Sequence, residues 1–235
     1  MDMPPHPDRS ITGYTDPNGE APWAMQIVIQ VERSSPPSTT AACEAAGIAA
    51  VSLLDGAEDR GWQPEVDRWL DGRIRKIVRR ARGAAWRRVG DLPGVTVEHR
   101  GATVRALVPG PTDEVPDTVA KLQVEGLVLA DPDRCESVDF EVGAPRFVTV
   151  AMNPRWPLDE HPGKAAAQVA HAAQLAAAGM TGDFYDEWRA GGFDLRVVWP
   201  PEPTWLDLER EAPVVVTDAG FTVVDPGART CLARW

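Results

Sequence analysis

Apolar and polar positions along the chain fall into two halves with the same order of predicted elements. Each half begins with a short apolar, β-prone run, at residues 25–31 and 147–152, and continues with an Ala-rich stretch at 40–50 or 164–174. A helix end closed by glycine, a strand, a helix containing a tryptophan and two further apolar runs follow in each half. The pattern therefore predicts the order strand, helix, helix, strand, helix, strand, strand twice.

Strands that alternate with helices predict an α/β layer architecture. The last two strands of each half are joined too closely for a parallel crossover, so each sheet is expected to be mixed. We therefore predict two tandem three-layer α/β/α domains, each with a small mixed four-stranded sheet. Tandem duplication is the simplest explanation, although two unrelated α/β domains can share this order by chance.

Proline and glycine clusters indicate where these domains begin and end. We predict a flexible tail, a first domain, a structured linker and a second domain, with the boundaries 1–24, 25–108, 109–145 and 146–235. The linker contains a helix-prone segment near residues 118–123. The tail is polar and Pro-rich, and no apolar run approaches the ~18 residues of a membrane span, so we expect neither an export signal nor a membrane contact.

Composition changes this picture little, because 43% hydrophobic and 25% charged residues are typical of folded globular proteins. The cysteines are scattered and lack metal-ligand spacing, so we expect a reducing cytoplasm, structural thiols and no metal site; they are Cys43, Cys135 and Cys231. The net charge of −11 disfavours general binding to nucleic acid, which depends on Lys and Arg.

One local exception to the acidic charge is a basic window at residues 73–88, which contains no acid. Such a window could bind a phosphate backbone, or it could be a solvated strand and helix face that needs no partner. Its candidate substrate-binding residues are Arg73, Arg75, Lys76, Arg79 and Arg80.

Three polar side chains share one face of a helix that we predict to open at Gly163. Lys164, Gln168 and His171 are spaced by four and three residues, which returns them to the same stripe. A lysine in the first turn is electrostatically unfavourable, because the helix N-terminus already carries partial positive charge. Lys164 could hold a phosphate or an oxyanion together with the first-turn amides, could be made easier to deprotonate there, or could be an ordinary surface lysine.

A second cluster, residues 218–230, follows the apolar run 214–216 and therefore leaves the end of a predicted strand. Ligands gather at strand ends in α/β sheets. Gly220 and Gly227 are typical turn residues, and Asp218, Thr222 and Thr230 add polar groups.

The two clusters together resemble the signature of type 2 peptidyl-tRNA hydrolases, and the resemblance covers residues 146–235. The shared set is Gly163-Lys164, Gln168, His171, Asp218-Ala219-Gly220, Thr222, Pro226-Gly227 and Thr230. The resemblance implies hydrolysis of the ester that joins a peptide to the 3′ ribose of tRNA, without a metal or organic cofactor. It implies an active centre of Lys164, Asp218, Thr222 and Thr230, with Gln168 and His171 beside them and Gly163 and Gly220 near the substrate.

The chain departs from the family pattern in two places. Asp159 and Glu160 precede the Gly-Lys pair, where family members carry a basic residue, and the usual closing Gly-Pro is missing after residues 232–235. Neither difference removes an implied catalytic group. The two acids leave tRNA as the expected partner but add negative charge beside the expected RNA site.

The first half lacks the implied catalytic residues. In our alignment Thr40, Glu44 and Gly47 stand in the places of the lysine, glutamine and histidine of the second half. We therefore expect a degenerate repeat that serves packing, substrate binding or pairing. Because family members commonly form homodimers, we expect either a monomer with pseudo-dimeric repeats or a homodimer. The alternative function is a non-catalytic or retargeted regulator that binds RNA or protein.

Overall fold

The structure is a computed structural model that describes residues 20–32, 34–72, 74–135, 146–218 and 224–235. Within these ranges the chain forms nine strands and seven helices. The first half and the linker contain β1 (Trp23–Gln30), α1 (Thr39–Asp55), α2 (Gln63–Asp71), β2 (Lys76–Ala81), α3 (Gly83–Gly90), β3 (Gly94–His99), β4 (Ala102–Leu107), β5 (Gly110–Pro111) and α4 (Asp117–Ala120). The second half contains β6 (Val148–Met152), α5 (Pro162–Gly179), α6 (Asp183–Ala190), β7 (Leu195–Val198), α7 (Glu202–Glu211), β8 (Val214–Thr217) and β9 (Arg229–Arg234).

The predicted order of elements in both halves is confirmed, and the protein is a mixed α/β fold with two mixed sheets. The first sheet has the order β2-β1-β4-β3 and the second the order β7-β6-β9-β8. In each sheet the first two strands of this order run parallel and the other two pairs run antiparallel. The two halves therefore share strand order and strand direction.

Corresponding residues of the two halves also make the same contacts. The indole of Trp69 donates to the carbonyl of Arg75 at 3.1 Å, and that of Trp188 donates to the carbonyl of Asp194 at 2.7 Å. The same two carbonyls accept the backbone amides of Met25 in β1 and Val148 at the start of β6. The two halves therefore share these hydrogen bonds as well as their strand order.

The first sheet differs from the expected four strands because it gains the two-residue β5. Trp23 pairs with Pro111 and Ala24 with Gly110, so β1 begins two residues earlier than the apolar run predicts. The helix-prone segment of the linker forms only the short α4, after which Lys121 ends the helix. The linker thus packs against the first half through backbone pairing.

The two Ala-rich helices, α1 and α5, pack against each other between the sheets. α1 lies on β3 and β4 and also contacts β7, while α5 lies on β8 and β9 and also contacts β2. Nearly every residue of α1 is buried, as expected for a helix that is covered on all sides. A Cβ atom on Gly47 would lie 2.8 Å from Leu195 Cδ1, so the small residue permits the close contact between the halves.

The outer faces of both sheets are covered as well. Val28, Leu107 and Val119 belong to an apolar cluster on the first sheet that α3 and α4 close, and Trp205 of α7 lies in a second cluster on the other sheet. Burial of both sheet faces explains the long apolar runs of the central strands. Among the described helices, none is long and apolar enough to cross a membrane.

The linker connects one edge strand of each sheet. The Gln123 carbonyl accepts the Arg80 amide of β2 at 3.2 Å, and the Cys135 carbonyl accepts the Trp199 amide just after β7 at 2.8 Å. Between these contacts, the amide of Thr39 at the start of α1 donates to the carbonyl of Ala130. Residues 123–135 therefore run from one sheet to the other past the N-terminus of α1.

Candidate functional site

Lys164 and Asp218, which are far apart in the sequence, form an ion pair at the N-terminus of α5. Lys164 lies in the first turn of this helix and Asp218 directly follows β8, and Lys164 Nζ donates to Asp218 Oδ2. Their side chains are only 14% and 7% exposed. The helix and the loop meet at this pair, which lies where solvent screens its charges weakly.

Gln168 and Thr230 fix the position of the carboxylate. Gln168 Nε2 donates to Asp218 Oδ2 at 2.7 Å, and Thr230 Oγ1 donates to Gln168 Oε1 at 2.6 Å. The Asp218 carboxylate can only accept, so the amide nitrogen of Gln168 faces it and the amide oxygen is left to accept from the Thr230 hydroxyl. Thr230 is fully buried in β9 and acts on the site through Gln168.

Backbone hydrogen bonds hold Asp218 at the base of its loop. Its amide donates to the carbonyl of Ala228 at 2.8 Å, and its carbonyl accepts the amide of Gly227 at 2.8 Å. Gly227 has a φ of 82°, which a residue with a side chain rarely adopts. Two other candidates in this loop, Thr222 and Gly220, lie outside the described residues.

Replacing Thr230 by Val is expected to lower the free energy of unfolding by about 1–2 kcal/mol, because Gln168 Oε1 then loses its donor in a buried place. Urea unfolding monitored by tryptophan fluorescence measures the change. Thr217→Val is the control: Thr217 is exposed at the end of the neighbouring strand, and its replacement should change stability by less than about 0.5 kcal/mol. Equal losses in the two variants would contradict this role of Thr230.

Gly163 and His171 lie on either side of this network, along the surface that faces the first half. A Cβ atom on Gly163 would lie 3.8 Å from Leu127 of the linker and 3.9 Å from Val78 of β2. His171 Nδ1 lies 3.3 Å from Nζ of Lys76, which also belongs to β2. Parts of the first half and of the linker therefore form one wall beside the Lys164–Asp218 pair.

The structure scatters the basic window instead of presenting it as one surface. Arg79 donates to Gln26 Oε1 at 2.8 Å and to the carbonyl of Leu122 at 2.9 Å, and Arg80 donates to the side chain of Gln123. The Arg75 side chain is partly buried, and Arg73 lies outside the described residues. The window's exposed arginines in and beside α3 are Arg82, Arg87 and Arg88. The phosphate-binding prediction stays a prediction, with a narrower exposed surface than the sequence indicated.

A groove of about 340 Å³ opens at the same end of the second sheet. It lies on the other face of that sheet, because adjacent residues of β9 point to opposite faces: Thr230 points to α5 and Arg229 lines the groove. Arg229 and Arg155 line it beside Trp156, and their guanidinium groups are paired with Glu209 at 3.2 Å and Glu202 at 2.7 Å. The groove and the ion pair therefore lie at the same end of the second sheet but on opposite faces.

Asn153, at the end of β6, organises this region and was missed in the sequence. Its Nδ2 donates to the carbonyl of Arg229 at 2.7 Å, and its Oδ1 accepts the amide of Arg155 at 3.0 Å. Trp156 Nε1 donates to the same Arg229 carbonyl at 3.2 Å. An Asn-Pro pair directly after an apolar strand is the signal that could have indicated such a turn.

The first half carries a buried charge cluster at the corresponding place, with the charges reversed. Glu44 of α1 is 1% exposed and accepts hydrogen bonds from His99 at 3.0 Å and from Arg100 at 3.1 Å. It also accepts the Val197 amide of β7 at 3.0 Å. The carboxylate is here on the helix and the charged Arg100 lies in the turn after β3, whereas the second half has Lys164 on the helix and Asp218 on the loop.

The place of Lys164 is taken in the first half by Thr40, which is bound to the linker. Thr40 Oγ1 donates to the carbonyl of Asp133 at 3.2 Å and accepts the indole of Trp199 at 2.9 Å. The nearby Ser38, the N-cap of α1, donates to the Asp133 carboxylate at 2.8 Å. The linker thus fills the surroundings of the first helix N-terminus.

Cys231 is the cysteine nearest to the candidate site, and its Sγ contacts the carbonyl of Gln168 at 3.5 Å. Burial raises the pKa of this thiol to about 12, so it is protonated at neutral pH and unsuited to act as a nucleophile. The site's chemistry therefore rests on the ion pair. A lysine ammonium held by a carboxylate beside the amides of a first helical turn can stabilise an oxyanion or orient water. Comparisons of the chain with family models, with curated proteins and with solved structures found no match.

Proposed function

We propose that the second half hydrolyses the ester bond between a peptide and the 3′ ribose of tRNA, with one catalytic centre built on Lys164 and Asp218. The observation that carries the proposal is the buried ion pair of these two residues, which Gln168 and Thr230 hold from the helix and the adjacent strand. These are the same residues on which the likeness to type 2 peptidyl-tRNA hydrolases rests. Their convergence from separate parts of the chain supports a site over an incidental likeness of motifs.

The reaction adds water to the ester. A water molecule attacks the carbonyl carbon, the carbonyl oxygen becomes an oxyanion, and the bond to the ribose oxygen then breaks. The water's proton goes to that ribose oxygen, which leaves as a hydroxyl, and the peptide leaves with a carboxyl group. Lys164 stabilises the oxyanion, and Asp218 holds the ammonium in place and orients the water. Thr230 serves as a positioning residue, since its hydroxyl is committed to Gln168.

The two halves, in this proposal, are copies of one three-layer α/β/α domain, and the first copy replaces the second subunit of a homodimer. The shared strand order and the packing of α1 against α5 support it. The chain then acts as a monomer in the cytoplasm. The tRNA body would lie over the exposed arginines in and beside α3. They form a local basic surface on a chain whose net charge is −11.

The test is turnover of an N-acetylated aminoacyl-tRNA by the full chain. We expect many cycles of release of free tRNA per protein, without added metal, and a rate that falls as salt is raised because phosphate contacts weaken. Cleavage of small esters but not of charged tRNA would indicate a retargeted hydrolase. Tight, salt-dependent binding of tRNA without any product would instead indicate a binding protein, and both outcomes would reject the proposed function.

A further inference from the structure

Lys76 is partly buried and points toward the helix of the candidate site. It is the first residue of β2, and Lys76, Val78 and Arg80 share one face of this strand because side chains alternate. Nζ of Lys76 lies 3.3 Å from Nδ1 of His171 and also donates to Oε1 of Gln174, both on α5. The ammonium stands 4.8 Å from the ring centroid of Trp69, which fixes it from the other side.

The contact determines which nitrogen of His171 carries a proton. A lysine ammonium has three donors and no acceptor, so Nδ1 of His171 must be the acceptor in this hydrogen bond. An imidazole that accepts at Nδ1 and is uncharged carries its proton on Nε2. The first half therefore sets the tautomer of a histidine that lies on the same stripe as Lys164 and Gln168.

The positive charge of Lys76 also favours an uncharged His171. Burial and the positive charge of Lys76 lower the pKa of His171 to about 4, while Gln174 and Asp218 act to raise it. Burial lowers the pKa of Lys76 to about 7. At a pH between these two pKa values, Lys76 is charged and His171 is uncharged. α1 also packs against α5, but its acids are engaged elsewhere: Glu44 with His99 and Arg100, and Asp55 with Arg189.

We propose that Lys76 is a positioning residue of the candidate site, which holds His171 as an uncharged, Nε2-protonated ring and so keeps a second positive charge away from the Lys164–Asp218 pair. A charged His171 would add a positive charge to the helix face that already carries Lys164 and Gln168. The inactive half thereby contributes to the site of the other half. The effect on the reaction rests on the proposed function, whereas the tautomer and charge of His171 do not.

The test is a pH titration of the histidine side chains in the full chain by long-range ¹H–¹⁵N spectra. The chain has four histidines, and His171→Gln identifies the signal of His171. We expect Nε2 to be protonated and Nδ1 to be unprotonated between pH 5 and pH 6, where Lys76 is charged and His171 is not. In Lys76→Met the pKa of His171 should rise by about one unit or more, whereas Lys76→Arg, which keeps charge and donor, should leave it low. A proton on Nδ1 in the wild type, or an unchanged His171 pKa in Lys76→Met, would overturn the proposal.

Activity gives a second, separate readout. Because a base becomes charged as the pH falls through its pKa, Lys76→Met should lose kcat/KM between about pH 6 and pH 5, where wild type and Lys76→Arg retain it. Near-UV circular dichroism of Lys76→Met at pH 8 shows whether packing is intact, and an equal loss at all pH values would reject the positioning role. If no variant cleaves tRNA, the proposed function fails while the titration still decides the role of Lys76.

Discussion

Replacing Lys164 by Met is expected to lower kcat/KM for an N-acetylated aminoacyl-tRNA by about 10²- to 10³-fold, and Asp218→Asn should cause a similar loss. Methionine removes the charge that stabilises the oxyanion, and asparagine removes the charge that holds the ammonium in place. Since both contacts act on charge that develops in the transition state, the loss should appear in kcat with little change in KM. Steady-state kinetics at several substrate concentrations separates the change in kcat from the change in KM.

The double variant sharpens this test. If Lys164 and Asp218 act as one unit, the variant that lacks both should be about as slow as either single variant. Lys121→Met and Asp225→Asn are the controls, since Lys121 is 76% exposed and Asp225 is an exposed residue of the loop that Asp218 begins. Undiminished rates in both single variants would rule out this mechanism, and losses in the controls would point to general damage.

Replacing Glu44 by Leu is expected to lower the free energy of unfolding by about 2–3 kcal/mol. The Val197 amide loses its acceptor, and His99 and Arg100 lose a buried partner. We place the loss below that of a fully buried pair, because Arg100 is 45% exposed and remains partly solvated. Since Glu44 joins a helix of the first half to a strand of the second, urea unfolding of the wild type should be one transition for fluorescence and circular dichroism.

Two controls accompany the Glu44 variant. Glu44→Gln keeps an acceptor for the Val197 amide and should lose less stability than Glu44→Leu. Glu98→Leu changes an exposed acid on the strand that carries His99, and should alter stability by less than about 0.5 kcal/mol. In the wild type, a first transition in which only one half unfolds would contradict the coupling of the two halves through Glu44.

The order and type of the elements could be predicted because each half repeats the same local signals. Apolar runs bounded by proline and glycine gave the strands, and the Ala-rich stretches gave α1 and α5. The extra strand β5 was not predicted, because a Gly-Pro pair has no β-strand pattern and depends on pairing with Trp23 and Ala24. Pairing between distant segments is not encoded in local periodicity.

The site was predictable in part because its residues also lie in local sequence patterns. Helical spacing placed Lys164, Gln168 and His171 on one face, and a strand end placed Asp218 near them. The inward position of Lys76 was not predictable, because a run of basic residues usually marks a solvated face and the covering helix comes from the other half. Glu44 offered a clearer signal: one carboxylate within an Ala-rich, buried helix requires partners, although the sequence does not say which.

The linker at residues 123–135 has a consequence for association between copies of the chain. β2 and β7 are edge strands, and an edge with unpaired amides and carbonyls is a template for pairing with another molecule. Gln123 and Cys135 occupy part of each edge, and Glu44 binds a further amide of β7. A protease cut within this segment would therefore expose strand edges on both sheets at once. Without the linker contacts, the uncovered edges of β2 and β7 would be open to pairing with other copies of the chain, which promotes aggregation.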